Sequence, residues 1–376
     1  MMVDGRERGS EGTFLTPKAF MDTYWGRMES PRGRLVVASC RSGAALAERV
    51  VAWYEEQLAR AGADPEVPHL EAIDFQFSDG ETCVRLDADV SGDDVFLLQT
   101  LYDPVSGRSV DRNYMAFLIG ARALREWGAN QVTGVLPYLA YARQDKPTVS
   151  EREPTTAELM ADLSIEAGID RLVAWDPHTG RIHGFYGGVP VDSLSPLGLF
   201  LEVYGRFRGR DDVIAVAPDA GASKFVMQFG RALGLSCAVA SKHRPRPEEA
   251  EVAEVMGDFE GKRIAIVLDD MINTGGTVEA SITKLAEEKG IEEVYLGVSH
   301  NLCSESALAR LSRLHAGYGL REVVVTNTIP QTEGFRDLSF LRVRSIEEIL
   351  ARVINRIHYN RSVSGMIREP AAAEEG

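Results

Sequence analysis

The amino-acid sequence predicts an α/β fold with two domains, each built on a mainly parallel sheet flanked by helices. From Arg34 onward, short runs rich in β-branched residues alternate with segments of helical periodicity, which is the pattern of βαβ units. The length of 376 residues suits two, or at most three, folding units of roughly 100 to 200 residues each. We expect a flexible N-terminal extension, two domains and a flexible tail, over 1–33, 34–195, 196–367 and 368–376.

The predicted elements follow one another along most of the chain. Apolar runs predict strands at LVVAS (35–39), VTGVLPY (132–138), RLVAW (171–175), VIAVA (213–217), RIAIVL (263–268), EVYLGV (293–298) and EVVVTN (322–327). Tyr114, Phe117 and Ala121 recur at helical spacing, so they mark the buried face of a helix. Thr155 and Glu158 have the spacing of a capping box, which would begin another helix.

Composition and charge indicate a soluble globular protein and exclude several partners. Hydrophobic residues make up 44% of the chain and charged residues 26%, close to the usual proportions of globular domains. A formal net charge of -15 should repel nucleic acid and anionic lipid. No apolar run approaches the roughly 18 residues of a membrane span. We therefore expect neither nucleic acid nor a membrane as a partner.

The cysteines and the first residues favour a reducing, cytoplasmic setting. The opening segment MMVDGRERGSEG lacks the apolar region of a signal peptide and is too acidic for a transit peptide. The cysteines show no CxxC pair or zinc-ligand spacing, which predicts buried, reduced thiols. There are 4 of them, at Cys40, Cys83, Cys237 and Cys303.

The segment RIAIVLDDMINTGGT carries the strongest chemical signal. An apolar strand ends in the paired acids Asp269 and Asp270 and runs into a Gly-rich turn that should open a helix. Backbone N–H groups at such a helix N-terminus can surround a phosphate, while the acids suit sugar hydroxyls or hydrated Mg²⁺. The residues whose N–H groups would do so are Asn273, Thr274, Gly275, Gly276 and Thr277. No Lys follows the glycines, so the turn is not a Walker A loop.

This strand, acid pair and loop resemble the phosphoribosyl-diphosphate (PRPP) motif shared by type I phosphoribosyltransferases and ribose-phosphate pyrophosphokinases. Two segments upstream, FSDGETCVRL (77–86) and LPYLAYARQDK (136–146), are similar to the nucleotide-binding stretches of the pyrophosphokinases alone. Further similar segments occur in the same order: REPTTAELMADL, WDPHTGRIHGFY, VAPDAGASK, SKHRPRP, VVVTNTIP and RSVSGMI. The resemblance implies two phosphoribosyltransferase-like domains. It also implies a ribose-phosphate diphosphokinase, which makes PRPP and AMP from Mg-ATP and ribose 5-phosphate for nucleotide, histidine and tryptophan biosynthesis.

Residues on the ATP side can be assigned beside this resemblance. Phe77 and Arg143 are suited to sandwich an adenine ring, because guanidinium groups stack on aromatic faces. Asp79, Gly80 and Glu81 offer hydrogen-bond acceptors on a predicted tight turn. The Gln144 amide can bind the base or a phosphate. In the family such residues come from neighbouring subunits, which implies self-association, as a homohexamer built from dimers.

The resemblance also implies residues near the transferred group. His178 and Asp219 would lie near the Mg²⁺ of Mg-ATP, with Asp176 two residues before the histidine. Lys242 and Arg244 match the family's catalytic pair, and the Pro- and Glu-rich sequence after them is typical of a mobile flap. Cations that close over the site would stabilise developing charge.

Several positions depart from the family pattern. Asn273 stands where Asp is usual, Ala222 replaces Gly, Phe225 replaces Arg, and Glu158 replaces Lys. An Asp that usually follows GFF is replaced around Gly187. These changes leave two alternatives open: a catalytically weak or silent regulatory subunit, and a PRPP-consuming phosphoribosyltransferase.

Overall fold

The structure, a computed structural model, describes residues 14, 16–19, 32–148, 151–246 and 249–364, with the backbone alone for 241–253. Most of the predicted extension 1–33 and all of the tail 368–376 lie outside the described residues. Within those ranges, no helix combines the length and apolar content that a membrane span needs.

The first half of the described chain forms a parallel sheet of six strands in the order β2-β1-β5-β6-β7-β8. Its strands are β1 (Leu35–Ser39), β2 (His69–Leu70), β5 (Asp94–Leu98), β6 (Gln131–Leu136), β7 (Arg171–Trp175) and β8 (Val191–Leu194). A separate antiparallel hairpin joins β3 (Asp74–Gln76) and β4 (Thr82–Val84). The helices are α1 (Ala44–Arg60), α2 (Val110–Glu126), α3 (Thr156–Ala167), α4 (Ile182–Phe185) and α5 (Leu197–Tyr204).

The second half forms a sheet of seven described strands in the order β11-β10-β9-β12-β13-β14-β15. Its strands are β9 (Val213–Ala217), β10 (Ser236–Arg246), β11 (Glu249–Met256), β12 (Ile264–Ile272), β13 (Glu293–Asn301), β14 (Leu320–Thr326) and β15 (Leu341–Arg344). Only the β10–β11 pair is antiparallel among these described strands. The helices are α6 (Ser223–Leu233), α7 (Gly276–Glu288), α8 (Glu305–Gly317), α9 (Glu333–Arg336) and α10 (Glu347–His358).

Apolar strands and one-sided helices explain why these residues fold this way. Strands β1, β5 and β9 are buried at every position, as expected of parallel strands covered on both faces. Helix α2 begins where the Ser109 side chain accepts a hydrogen bond from the Arg112 N–H at 3.2 Å. Its Phe117 ring packs over Gly134, where a Cβ atom would lie only 2.8 Å from that ring.

The two sheets share a hydrophobic core. One continuous cluster of buried side chains includes Phe96 and Trp175 from the first half and Ala215 and Leu268 from the second. Helix α10 packs on α1, where the Asn355 amide donates to the Tyr54 hydroxyl at 2.8 Å. The last strand of the first sheet ends at Leu194, close to the predicted division between 34–195 and 196–367. That division remains a proposal, and helix α10 of the second range packs on α1 of the first.

Most sequence predictions of strands are confirmed, and three details are wrong. Strands β12 and β13 continue to Ile272 and Asn301, because their parallel pairing extends to that pair of residues. Thr155 lies at the N-cap of α3, but its side chain makes no cap hydrogen bond, so the predicted capping box does not form. Of the cysteines, only Cys40 is buried, while Cys83, Cys237 and Cys303 are partly exposed.

Candidate active site

The carboxyl ends of strands from both sheets meet in one place. From the first sheet, β7 leads into Asp176 and His178, and from the second, β12 carries Asp269 and Asp270. His178 Nδ1 lies 2.5 Å from Asp270 Oδ2, which joins the two halves directly. Ligands of α/β proteins bind at the carboxyl ends of parallel strands, so this meeting point is the candidate active site.

Asp176 has a strained and partly buried position at this meeting point. Its backbone has φ of 42°, a left-handed conformation that non-glycine residues rarely adopt. The hydroxyl of Ser299 on β13 donates a hydrogen bond to the Asp176 carboxyl group. Burial raises the pKa of Asp176 to about 7, and the charge of Asp270 adds to this, while the Ser299 hydrogen bond opposes it. Asp176 is therefore held by the second half rather than by solvent.

His300, next to Ser299, contacts the backbone of Asp176. Its Nε2 lies 3.2 Å from the Asp176 carbonyl oxygen and its Nδ1 lies 2.8 Å from the Thr328 hydroxyl. A carbonyl oxygen only accepts, so Nε2 carries the proton and Nδ1 accepts from Thr328. Burial lowers the pKa of His300 to about 4, so the ring is neutral at pH 7. Neither Ser299 nor His300 was predicted as a site residue.

The pKa values of the two acids of β12 are shifted in opposite directions. Burial, together with the charges of Asp270 and Asp219, raises the pKa of Asp269 well above its usual value. Burial also raises the pKa of Asp270, but the hydrogen bond and charge of His178 outweigh it, so the net pKa of Asp270 is lowered. The same hydrogen bond raises the pKa of His178. The surroundings thus favour the protonated form of Asp269 and the ionised form of Asp270.

The predicted phosphate loop connects β12 to α7. Gly275 lies at the N-cap with φ of 79°, and α7 begins at Gly276. This left-handed conformation costs a non-glycine residue energy, so the glycine is required here. N–H groups in the first turn of a helix have no partner within the helix, and they face an anion together with the positive end of the helix dipole. The structure brings this loop next to Asp269 and Asp270, as the sequence predicts.

The ATP-side residues lie on two separate segments. Asp79, Gly80 and Glu81 form the turn of the β3–β4 hairpin, where Asp79 Oδ1 accepts from the Glu81 N–H at 3.0 Å. Phe77 at the base of that turn has an exposed fraction of 50%. The other segment carries Arg143 and Gln144 in the turn after β6, where the Gln144 N–H donates to the Tyr141 carbonyl at 2.9 Å.

The second of these segments reaches the candidate site within one chain. Arg143 lies close enough to His178 for its charge to oppose protonation of that ring, although the Asp270 hydrogen bond has the larger effect on the pKa. Among the described residues, no cation–π contact joins Arg143 to Phe77. The described residues of a single chain therefore do not form the predicted adenine sandwich. It stays a prediction for an oligomer, in which two chains would each supply one of the two side chains.

The three residues predicted near the metal do not form a metal cluster. In the described ranges, no group of three or more His, Cys, Asp or Glu side chains could hold an ion. Asp219, at the end of β9, accepts hydrogen bonds at Oδ1 from the N–H groups of Gly221 and Ala222, at 2.9 and 3.3 Å. The Asp176 carboxyl group accepts a hydrogen bond from Ser299, and its predicted place near the metal stays a prediction.

The predicted catalytic pair lies on β10, directly beside β9 in the sheet. The predicted flap is an antiparallel hairpin in which Lys242 pairs with Val252 and His243 pairs with Glu251. The side chains of Lys242 and Arg244 lie outside the described residues, so their approach to the site stays a prediction.

Comparison with known proteins then identifies the family. Residues 35–168 match the N-terminal domain of ribose phosphate pyrophosphokinase, and residues 215–368 match the phosphoribosyl synthetase-associated domain. A ribose-phosphate pyrophosphokinase of Clostridium acetobutylicum is 37% identical over 295 residues, which cover 78% of this chain and 88% of the relative. The chain belongs to the ribose-phosphate pyrophosphokinase family. Another such protein, from Chromobacterium violaceum, is 34% identical over 339 residues, or 90% of this chain and 96% of the relative.

A solved structure shares the fold of this pyrophosphokinase-family chain. The crystal structure of phosphoribosylpyrophosphate synthetase from Mycobacterium smegmatis matches it with a TM-score of 0.73 and 34% sequence identity. The match covers 87% of this chain and 99% of that chain. The predicted fold class and family are therefore confirmed.

One departure from the family pattern has a packing explanation. Phe225 on α6 packs against Phe200 on α5, with ring centroids 6.3 Å apart. Both rings belong to the hydrophobic core shared by the two sheets or lie against it. An aromatic side chain at this position therefore contributes to the joint between the halves. The structure offers no explanation for Glu158.

Proposed function

We propose that this chain is a ribose-phosphate diphosphokinase. It transfers the β,γ-diphosphoryl group of Mg-ATP to the C1 hydroxyl of ribose 5-phosphate, giving PRPP and AMP. The observation that carries the proposal is the 2.5 Å contact between His178 and Asp270. It joins a nucleotide-side segment of one sheet to the acid pair and phosphate loop of the other, in a chain of this family.

Ribose 5-phosphate occupies the second half in this proposal. Its phosphate lies on the N–H groups of residues 273–277, where the helix α7 begins. Asp269 and Asp270 bind ribose hydroxyls, and their opposite pKa shifts make Asp269 the better hydrogen-bond donor and Asp270 the better acceptor. The sugar is thereby oriented with C1 toward the nucleotide side.

The reaction needs positioning and charge more than a protein nucleophile. The bond between O1 and the β-phosphorus forms as O1 loses its proton to solvent. The bond from the β-phosphorus to the oxygen shared with the α-phosphorus breaks, so AMP leaves. Negative charge accumulates on the transferred group, and fixed cations stabilise it. Lys242 and Arg244 on strand β10 supply these cations in the proposal, and Arg143 adds positive charge from the first half, beside His178, whose pKa is raised by its hydrogen bond with Asp270.

The residues present fit a Mg²⁺ ion that is held mainly by the nucleotide. Mg²⁺ takes oxygen ligands and usually binds substrate phosphates, waters and only one or two carboxylates. Asp219 is a partly exposed carboxylate just after β9 that would support such an ion. When bound, Mg²⁺ would neutralise charge on the phosphates. His178, a nitrogen ligand, is better suited to a hydrogen bond with the nucleotide.

A neighbouring copy of the chain completes the ATP site in this proposal. Phe77 is half exposed on a projecting hairpin and makes no ring contact with Arg143 among the described residues. An adenine sandwich between them therefore needs the hairpin of a second chain. This supports a homo-oligomer, which we propose to be a hexamer built from dimers.

The test is the production of AMP and PRPP from ATP, Mg²⁺ and ribose 5-phosphate by the purified chain. Lys242→Ala should abolish both products without loss of the folded state, because it removes a cation from the transferring group. Lys289→Ala is the matched control, since Lys289 lies over the Phe259 ring at the far end of α7. A Lys242→Ala variant at the wild-type rate would show that the hairpin assignment is wrong. A wild-type protein without AMP formation at any phosphate concentration would refute the function.

A further inference from the structure

The phosphate loop is held from behind by the helix that follows the next strand. Helix α8 begins after Ser304, whose hydroxyl donates to the Asn273 carbonyl at 2.5 Å and accepts from the Ala307 N–H at 3.2 Å. A single serine thus caps α8 and binds the first carbonyl of the loop. Ser306 adds a longer hydrogen bond, 3.4 Å, to the Thr274 carbonyl.

Arg310, on the same helix, makes a charge-assisted hydrogen bond to the loop. Its Nη1 donates to the Thr274 carbonyl oxygen at 2.6 Å, and its Nε lies 2.9 Å from Glu279 Oε2. Glu279 is in the first turn of α7, where it would repel a phosphate if it were unpaired. Arg313 also pairs with Glu279, but no described contact joins Arg313 to the loop. Arg310 therefore acts on both the loop backbone and the charge beside it.

Peptide geometry converts these contacts into an orientation of the loop N–H groups. In a planar trans peptide the C=O and the following N–H point in opposite directions. A Thr274 carbonyl turned toward Arg310 consequently turns the Gly275 N–H away from α8. In the same way, the bond from Ser304 to the Asn273 carbonyl fixes the direction of the Thr274 N–H. Both N–H groups then point away from the α8 side chains that hold the carbonyls.

The position of the guanidinium also adds charge near the helix end. A Cβ atom built on Gly276 would lie 4.0 Å from Arg310 Nη1. The cation is thus adjacent to the first residue of α7, where a bound phosphate meets the helix dipole. Its side chain keeps an exposed fraction of 34%, so the cation stays hydrated while it is bound to the carbonyl.

We propose that Arg310 and Ser304 are positioning residues for the phosphate of ribose 5-phosphate, acting by aiming the loop N–H groups rather than by touching the sugar. The proposal rests on the function proposed above, since it needs ribose 5-phosphate in this loop. Neither residue belongs to the motif that carries the loop, so both lie outside the set that the sequence predicts.

The test compares Arg310→Met with Arg313→Met. Both variants remove one cation from Glu279, and only Arg310→Met frees the Thr274 carbonyl. We expect Arg310→Met to raise KM for ribose 5-phosphate roughly tenfold to a hundredfold, the loss typical of one charge-assisted hydrogen bond. KM for ATP should stay within about twofold, and Arg313→Met should stay within about twofold for both substrates, as exposed ion pairs contribute little. Arg310→Lys, which keeps the charge but not the fork of donors, should give an intermediate KM.

Direct binding separates this proposal from the function it rests on. Calorimetric titration of ribose 5-phosphate alone into the wild type should show binding, and Arg310→Met and Ser304→Ala should each weaken it. If the wild type binds and turns over but Arg310→Met matches Arg313→Met, the positioning inference is wrong and the function stands. Equal rises in KM for both substrates would mean a general structural defect and would also overturn it. If the wild type neither binds ribose 5-phosphate nor forms AMP, the function itself fails. Ser304→Ala keeps the question decidable if Arg310→Met does not fold.

Discussion

A buried ion pair at the base of the β3–β4 hairpin allows a quantitative test of the structure. Asp74, the first residue of β3, is fully buried and its Oδ2 lies 2.5 Å from Arg108 Nη2. The Arg41 N–H donates to the other carboxylate oxygen at 2.5 Å. The hairpin that presents Phe77 is therefore fixed by this carboxylate to the residues just before α2.

Asp74→Ala should strongly destabilise the protein, because it leaves the Arg108 cation buried without its partner. Removing one member of a buried pair costs about 3 to 5 kcal/mol. The double variant Asp74→Ala/Arg108→Met leaves no buried charge and should recover most of this. Its free energy of unfolding should remain about 1 kcal/mol below that of the wild type, because the Arg41 N–H still lacks its acceptor.

The assay is urea unfolding followed by tryptophan fluorescence, with ATP kinetics on the folded variants. Arg60→Ala is the control, since its pair with Glu56 is exposed on both sides and should contribute less than about 1 kcal/mol. KM for ATP should rise in Asp74→Ala, as the hairpin loses its anchor. The reasoning is refuted if the free energy of unfolding of Asp74→Ala lies within about 1 kcal/mol of the wild-type value. It is also refuted if the double variant is less stable than Asp74→Ala.

Two further predictions concern the residues that hold Asp176. Ser299→Ala should lower kcat about tenfold, because a buried carboxyl loses its hydroxyl donor. Ser299→Thr should restore the rate, and equal kcat values for the two variants would contradict this. His300 has a pKa of about 4 when folded against 6.5 in its usual range, so its stabilising contribution is full above pH 6.5 and is lost as the pH falls toward 4. Between pH 7.5 and 5 this amounts to about 2 kcal/mol, and urea unfolding of His300→Gln should show a smaller loss over that interval than the wild type. An identical pH dependence would argue against a buried neutral ring.

The fold was predictable because its strands are uniformly apolar. Strands such as β1, β7 and β9 lie where the sequence places them, since parallel strands buried on both faces leave a strong local signal. The ends of β12 and β13 were not predictable, because they depend on how far two distant segments stay paired. The cap of α3 failed for a similar reason: spacing alone does not fix the backbone angles that bring a Thr155 oxygen to an N–H group.

The candidate site was predictable where one segment carries both the turn and the chemistry. Asp269, Asp270 and the loop that follows them are contiguous, so the motif shows them together. Ser299 and His300 act on a residue of the other sheet, and nothing in their own neighbourhood marks this. The available signal was their place at the carboxyl end of β13, beside β12, where polar residues in a parallel sheet converge.

The contact between α10 and α1 has a consequence for the order in which the chain matures. The Tyr54 hydroxyl on α1 receives its partner from Asn355 on α10, which is made 301 residues later. During synthesis the apolar flank of α1 must therefore stay uncovered until α10 has emerged from the ribosome. A premature stop codon upstream of α10 would release a product with this flank bare, prone to aggregation and open to proteases.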